Sequence, residues 1–324
     1  MKVIEQFIRS KTHRPSDCED SIFVSDNFAA VIDGVTSKSN REYNRESSGK
    51  ACSQLLRNAL EDLPLKSTAY QTVEFLTSTV YRLYKELGIE DQLINLPAER
   101  ASACIAMYSQ YRNEIWMVGD CQCMVDGVHY SNTKSIDSLL SGVRSLYIQT
   151  ELTGGKPYDD ILANDTGREF IMPLLERQSV FQNSLENTEF RYGVIDGYKV
   201  PRSEIKVFKL TDPVQIILAT DGYPCLFETL GESERHLKKI LKNDPLCFQQ
   251  FKATKGLLPG NISFDDRAYL RLIIKQTPSP LIYRILNKKM VVPVITKSLI
   301  ICILYKIAYL CRVGIIQDHK CSFY

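Results

Sequence analysis

Apolar residues over the first 275 positions follow two different periods, and the chain switches between them several times. Residues 22–24 and 28–32 are short apolar runs split by Ser25-Asp26-Asn27, a polar trio that reads as the turn of a hairpin. The spacing then lengthens to three and four. After Ser47-Ser48, a suitable N-cap, the residues Cys52, Leu55, Leu56, Ala59 and Leu60 fall on one face of a helix. Val73, Leu76, Val80, Leu83, Tyr84 and Leu87 do the same in a second helix, and Gly88 stands where a C′ glycine ends the last turn. Strand-like runs return at 103–107, 115–118 and, more weakly, 124–125, where Asp126-Gly127 turns the chain into 128–130. Residues 131–198 are mixed, with helical stretches around 136–146 and 167–175, and read as an insertion or flap. Strands resume at 205–210 and 214–220, a helix follows near 232–241, and a last strand covers 269–274. Strands in runs and helices in pairs predict α+β layering rather than a doubly wound sheet. There is no internal repeat.

Four acidic patches stand at the edges of these elements: Glu19-Asp20, Asp33-Gly34, Asp221-Gly222 and Asp265-Asp266. Asp33 follows the run 28–32, Asp221 follows 216–220, and Asp266 precedes 268–274. A carboxylate at the end of a buried strand is costly to desolvate and stays charged only when paired or metal-bound. Patches this far apart in sequence meet only in a folded chain, and hard oxygen ligands suit Mg²⁺ or Mn²⁺. The pattern points to a metal-dependent phosphoryl-transfer or hydrolase site.

Composition changes this picture little before the end of the chain. A length of 324 residues allows one large domain or two small ones, and 44% hydrophobic with 24% charged residues is ordinary for a globular protein. A net charge of +2 gives no argument for nucleic-acid binding. The ten cysteines are scattered, Cys121 and Cys123 being the close pair, and no spacing suggests zinc. With no apolar stretch of signal-peptide type after Met1, reduced thiols in a cytoplasmic setting are expected. There is no Gly-x-Ser-x-Gly elbow, P-loop or Rossmann glycine pattern. His129 and His236 stand apart from the acidic motifs and read as surface or packing residues.

The near-neutral total hides an asymmetry. Residues 275–324 hold eight Lys or Arg and one acidic residue, Asp318, so the preceding chain is net acidic. The change falls at Gln276-Thr277-Pro278-Ser279-Pro280, a proline-containing linker. The expected organisation is a domain over 1–275, with its flap at 131–198, and a basic, apolar extension over 276–324. Past Lys297 the longest uncharged run is eight residues, 298–305, short of the about 18 that mark a membrane span. Basic and apolar residues together favour contact with a partner or an anionic membrane surface through residues 290–316.

In order, these motifs resemble the metal-dependent protein phosphatases of type 2C. The family's basic residue before a Glu-Asp pair is matched by Arg14 and Glu19-Asp20, and its Asp-Gly after a strand by Val31-Ile32-Asp33-Gly34. Its Gly-Asp turn is matched by Gly119-Asp120, its late Asp-Gly by Asp221-Gly222, and its closing acidic pair by Asp265-Asp266. The resemblance spans roughly residues 1–275 and implies an αββα sandwich of two mostly antiparallel sheets flanked by helix pairs. It further implies hydrolysis of phosphoserine or phosphothreonine in proteins by a water activated between two Mn²⁺ or Mg²⁺ ions. In that scheme Asp33 bridges the metals, Gly34 offers its carbonyl, and Asp221 and Asp265 complete a shell. Glu19 and Asp20 act through waters, and Arg14 clamps the phosphate. Asp120 matches a third, weaker metal position, although Cys225, where the family carries an acid, speaks against a third ion.

Departures from the family are informative. Arg14 stands one residue further upstream than the family's basic residue, which leaves Lys11 and His13 as alternatives. The histidine of Asp-Gly-His-Gly-Gly is absent from Asp33-Gly34-Val35-Thr36-Ser37-Lys38, so leaving-group protonation falls to a metal-held water or to Lys38. Gln122 replaces a common arginine. The missing histidine points to a bacterial-type subgroup. Rival readings are a non-catalytic binding module that retains the fold, and a phosphomonoesterase acting on small molecules.

Overall fold

In the computed structural model, which describes residues 1–36, 39, 41–186 and 188–274, the apolar runs form two five-stranded sheets. These residues belong to one unit, Met1–Gln276. The expectations for Lys38 and for 276–324 fall outside the described residues. The elements up to the flap are β1 (Lys2–Arg9), β2 (Ser21–Val24), β3 (Phe28–Gly34), β4 (Glu42–Tyr43), β5 (Glu46–Ser47), α1 (Ser48–Ala59), α2 (Ala69–Leu87), α3 (Glu90–Ile94), β6 (Ala103–Ser109), β7 (Glu114–Val118), β8 (Gln122–Val125) and β9 (Val128–Ser131). After them come α4 (Ser135–Thr153), α5 (Tyr158–Ala163), α6 (Thr166–Arg177), β10 (Lys206–Lys209), β11 (Gln215–Ala219), α7 (Leu230–Asn243) and β12 (Arg267–Ile273).

One sheet has the order β1-β12-β11-β8-β9 and the other β10-β7-β6-β3-β2, with antiparallel pairing throughout. Side-chain alternation sets the layers. Ala29 and Val31 of β3 pack with Ile216, Leu218, Ala268 and Leu270 of the other sheet. Their neighbours Ala30 and Ile32 point the opposite way, into a cluster with Leu56 of α1 and Leu76 and Val80 of α2. On the far side, Ile217, Ala219 and Tyr269 pack with Leu237 of α7 and with Phe264. The fold is therefore an α+β sandwich, with two antiparallel sheets face to face and helices outside.

Local chemistry holds α1 and α2 where the pattern puts them. The Ser47 hydroxyl accepts from the Lys50 amide at the start of α1, and Thr68 with Gln71 forms a capping box before α2. Gly88 ends α2 in the left-handed region at φ 66°.

Strand β1, the short β4–β5 ladder and the short helices α3 and α5 escaped the sequence pattern, and α4 is longer than expected. Strand β1 shows Ile4 and Ile8 to solvent, 42% and 43% exposed, and carries a register shift between Val3 and Glu5, so its alternation is blurred. Helix α4 runs on to Thr153 because its inner face continues through Ser141, Arg144, Ser145 and Ile148, which do not read as an apolar stripe. Arg144 is fully buried there. It donates to both oxygens of Asp165 at 3.1–3.2 Å through Nε, and to the carbonyls of Leu246, Cys247 and Ala253 at 2.7–3.1 Å. Asp244 caps the same segment, accepting from the amides of Phe248, Gln249 and Gln250.

Replacing Arg144 strands a buried carboxylate and three carbonyls. Arg144→Met should lower the unfolding free energy by about 3–5 kcal/mol, measured by urea titration of the full chain. A loss below about 1 kcal/mol would show that α4 is not pinned to the loop after α7 through this guanidinium.

Candidate metal centre

The acidic centre forms because two strands from different sheets end at the same place. Asp33 closes β3 opposite Cys104 of β6, and Asp221 follows β11 after Thr220. Asp120 follows β7 in the Gly119-Asp120 turn. Asp33, Asp120 and Asp221 each bring one carboxylate oxygen within 4.8 Å of the others. All three line a pocket of about 360 Å³ together with Asp265. Asp265 is not part of the tight trio. Its carboxylate meets the Lys255 ammonium and lies 3.7 Å from Lys11 Nζ.

Glycines at the motif positions are required by close packing. A side chain on Gly34 would begin 2.4 Å from the Glu19 carbonyl and 2.5 Å from that of Gly49. One on Gly222 would begin 2.0 Å from the Asp266 carbonyl. The Asp-Gly pairs thus bring strand ends into backbone contact, which a Cβ forbids.

Glu19 and Asp20 are buried and reach the centre through hydroxyls. Glu19 accepts from Thr36 Oγ1 and from Ser47 Oγ, each at 2.6 Å, and Thr36 lines the pocket. Asp20 accepts from Thr220 Oγ1 at 2.8 Å, the residue beside Asp221. Asp266 serves as a fastener. It accepts from the Lys11 amide at 2.6 Å and the Glu19 amide at 3.0 Å, tying both ends of the domain together across 255 and 247 positions.

The structure places Arg14 away from this centre. Its side chain is 80% exposed and donates through Nε to Asp17 at 3.0 Å, because the short turn Pro15–Asp17 brings that carboxylate under it. His13 is exposed as well. Lys11, named from sequence only as an alternative, lies among the carboxylates. Its Nζ is 3.1 Å from Glu19, 3.4 Å from Asp266 and 3.0 Å from Thr36 Oγ1. Two further lysines were missed: Lys134, 2.7 Å from Asp120, and Lys255 on Asp265. No local pattern marks either, since each stands ten or more positions from its acid. Gln122 holds the pocket wall, donating to the Tyr223 carbonyl at 2.9 Å and meeting His129 Nε2 at 2.9 Å. His129 is a surface residue, as expected, but it lines the pocket rim together with the acidic motifs instead of standing apart from them.

Electrostatics divides the carboxylates into two groups. Burial would raise Asp120 and Asp265, but the Lys134 ammonium holds the first below its ordinary value, and Lys255 with Lys11 the second. Burial pushes Asp20, Asp33 and Asp221 well above the ordinary range, and neighbouring carboxylates add to the effect. Among the described residues none of these three has a Lys or Arg within 4 Å. For Lys11, burial is outweighed by the charges of Asp265, Glu19 and Asp266, which raise it. With every group ionised, the eight carboxylates Glu19, Asp20, Asp33, Asp120, Asp137, Asp221, Asp265 and Asp266 meet five cationic groups, Lys11, Lys134, Arg168, Lys252 and Lys255, leaving three negative charges in excess. An all-oxygen donor set with that excess fits two divalent cations of the Mg²⁺ or Mn²⁺ kind.

No family model matches the sequence, and no curated protein matches it. Among solved structures, the chain is similar to the serine/threonine phosphatase PstP/Ppp of Mycobacterium tuberculosis, at 14% identity and a TM-score of 0.41, covering 85% of this chain and 100% of that one. It is similar also to the serine/threonine phosphatase Stp1 from Staphylococcus aureus, at 12% identity and a TM-score of 0.42, covering 84% and 94%. A third is PppA of Pseudomonas aeruginosa, at 14% identity and a TM-score of 0.38, covering 83% and 96%. The chemistry of the site is read from its own side chains.

The raised carboxylates give a sign for the pH dependence. Between the ordinary carboxylate range and their raised values, the folded chain holds protons that the unfolded chain releases, so stability rises as pH falls. His129, lowered by partial desolvation at the pocket rim, works the other way as a single group. In chelator, the thermal midpoint should therefore rise between pH 7 and pH 5 (about two units), and Asp33→Asn should flatten that rise. Saturating Mg²⁺ should raise the midpoint more at pH 7 than at pH 5. A midpoint in chelator that falls steadily over the same interval would contradict this distribution of charge.

Proposed function

We propose that the chain is a divalent-metal-dependent phosphatase that removes phosphate from phosphoserine or phosphothreonine in proteins. The observation that supports it most is the meeting of Asp33, Asp120 and Asp221 within 4.8 Å at a pocket whose acidic charge exceeds its lysines. Asp33, Asp221 and Asp120 would hold the ions, with Asp265 on the same wall and Gly34 leaving room at the strand end. When bound, two such ions supply an acidic environment for water and positive charge for phosphoryl oxygens. The protein's own part is placement. Thr220 fixes Asp20, Thr36 and Ser47 fix Glu19, and Asp266 fixes the backbone that carries both Lys11 and Glu19. Each carboxylate therefore enters the reaction already oriented, which limits reorganisation when charge moves. Mn²⁺ or Mg²⁺ as the ion, and a cytoplasmic setting, belong to the same reading.

A second reading, a phosphomonoesterase for small molecules, is equally compatible with the pocket volume. About 360 Å³ accommodates a phosphorylated side chain or a compact phosphate ester equally well. Comparing kcat/KM for a phosphothreonine peptide and for p-nitrophenyl phosphate separates the two.

Asp33→Asn and Asp221→Asn should each reduce phosphate release by roughly 10²- to 10³-fold or more, assayed with Mn²⁺ on p-nitrophenyl phosphate. Near-normal turnover by either variant removes the proposal, and metal binding without any turnover in the parent chain favours a binding module. Arg14→Ala, which removes an exposed pair, should change kcat/KM by about twofold or less.

A further inference from the structure

A phosphate ester is itself negative, and the carboxylates of this centre by themselves repel it, so side-chain cations at its opening matter alongside any bound metal. Asp33, Asp120, Asp221 and Asp265 all face the pocket that the substrate must enter. Arg14, the cation expected to receive the phosphate, is turned outward onto Asp17. Cations do line the pocket, however, and they come from the flap and from the loop beyond α7: Lys134, Arg168, Lys252 and Lys255.

Two of these pair with acids of the pocket itself. Lys134 immediately precedes α4, is half-buried, and spends its short contact on Asp120 at 2.7 Å, with Asp137 at 3.9 Å. Lys255 is half-buried with its ammonium on Asp265. An ammonium has three donors, so a contact with one carboxylate oxygen leaves hydrogens for a second anion. Asp265 does not depend on Lys255 alone, because Lys11 Nζ also lies 3.7 Å from it.

The loop that presents Lys255 is rigidly held. Arg144 takes the Ala253 carbonyl at 2.9 Å, Arg168 takes that of Thr254 at 2.8 Å, and Gly256 lies against the Leu246 backbone where a Cβ would have 2.8 Å. A lysine fixed in this way loses little freedom on binding, which favours recognition.

We propose that Lys134 and Lys255 form the phosphate-recognition pair of this pocket, receiving the oxyanion of the substrate in the role expected of Arg14. The inference rests on the phosphatase reading for its substrate, but the anion site can be tested without turnover. Inorganic phosphate is titrated calorimetrically into the full-length protein at saturating Mg²⁺, and Mg²⁺ alone is titrated separately. Lys134→Gln and Lys255→Gln should each weaken phosphate binding by about 10- to 100-fold, with KM for p-nitrophenyl phosphate rising more than kcat falls. Lys255→Arg should restore most of the affinity, Lys239→Gln on the surface of α7 should change nothing, and Mg²⁺ affinity should stay the same or tighten.

Phosphate affinity within about twofold of the parent in both glutamine variants overturns the pair. So does a loss that tracks a loss of Mg²⁺ binding and of the thermal midpoint, since the lysines would then only orient Asp120 and Asp265. Should Lys134→Gln fail to fold by circular dichroism, the two Lys255 variants decide. A parent chain that binds phosphate through these lysines yet hydrolyses no ester upholds the pair and removes the phosphatase reading. Turnover with lysine-independent phosphate binding does the reverse.

Discussion

Mutual repulsion among carboxylates that the fold forces into one corner is the constraint around which this domain is organised. Asp20, Asp33 and Asp221 are desolvated and raise one another's proton affinity, and no lysine or arginine among the described residues lies within 4 Å of them. Such an arrangement costs stability in a metal-free chain. The surrounding structure carries that cost through backbone contacts: the Gly34–Gly49 approach, the Gly222–Asp266 approach, and Asp266 accepting amides from two distant segments. Strain of this kind at a site is offset elsewhere in a protein, here by a sandwich core whose three apolar clusters are almost completely buried.

The lysines divide the remaining carboxylates by purpose. Lys11 gathers Glu19, Asp265 and Asp266 into one network, while Lys134 and Lys255 each hold one pocket acid in the charged form. The acids with an ammonium partner are depressed, and those without one are raised. Charge is thus sorted within a few ångströms into a set ready to stay ionised and a set that calls for a cation. Cationic side chains around the same opening then make it approachable for an anion that bare carboxylates would turn away.

The segment 131–198 contributes through rigidity. Arg144 joins α4 to the loop after α7 through three carbonyls and to the start of α6 through Asp165, and Arg168 adds a fourth link to that loop through Thr254. A buried guanidinium saturated by a carboxylate and carbonyls is a strong directional fastener. It holds two pocket walls that are a hundred residues apart in sequence, and with them the two lysines.

Local pattern determined a good deal by itself. The hairpin ending in Asp33, helices α1 and α2 with their caps, the strand before Asp221 and the strand after Asp266 are all legible, because side-chain period and capping chemistry act within a few residues. The order of acidic motifs at strand edges is legible for the same reason. Strand β1 and the full length of α4 are not, since exposed isoleucines and an inward-facing arginine make sense only against the partners they meet. Tertiary structure alone decided which carboxylates come within ligand distance, bringing Asp120 to Asp33 and Asp221 and setting Asp265 beside Lys255. It also decided that Arg14 turns to Asp17 while Lys11, Lys134 and Lys255 enter the acidic corner. Charge pairing depends on distance in space, and long flexible side chains settle on whichever opposite charge the fold brings near, which no spacing along the chain records.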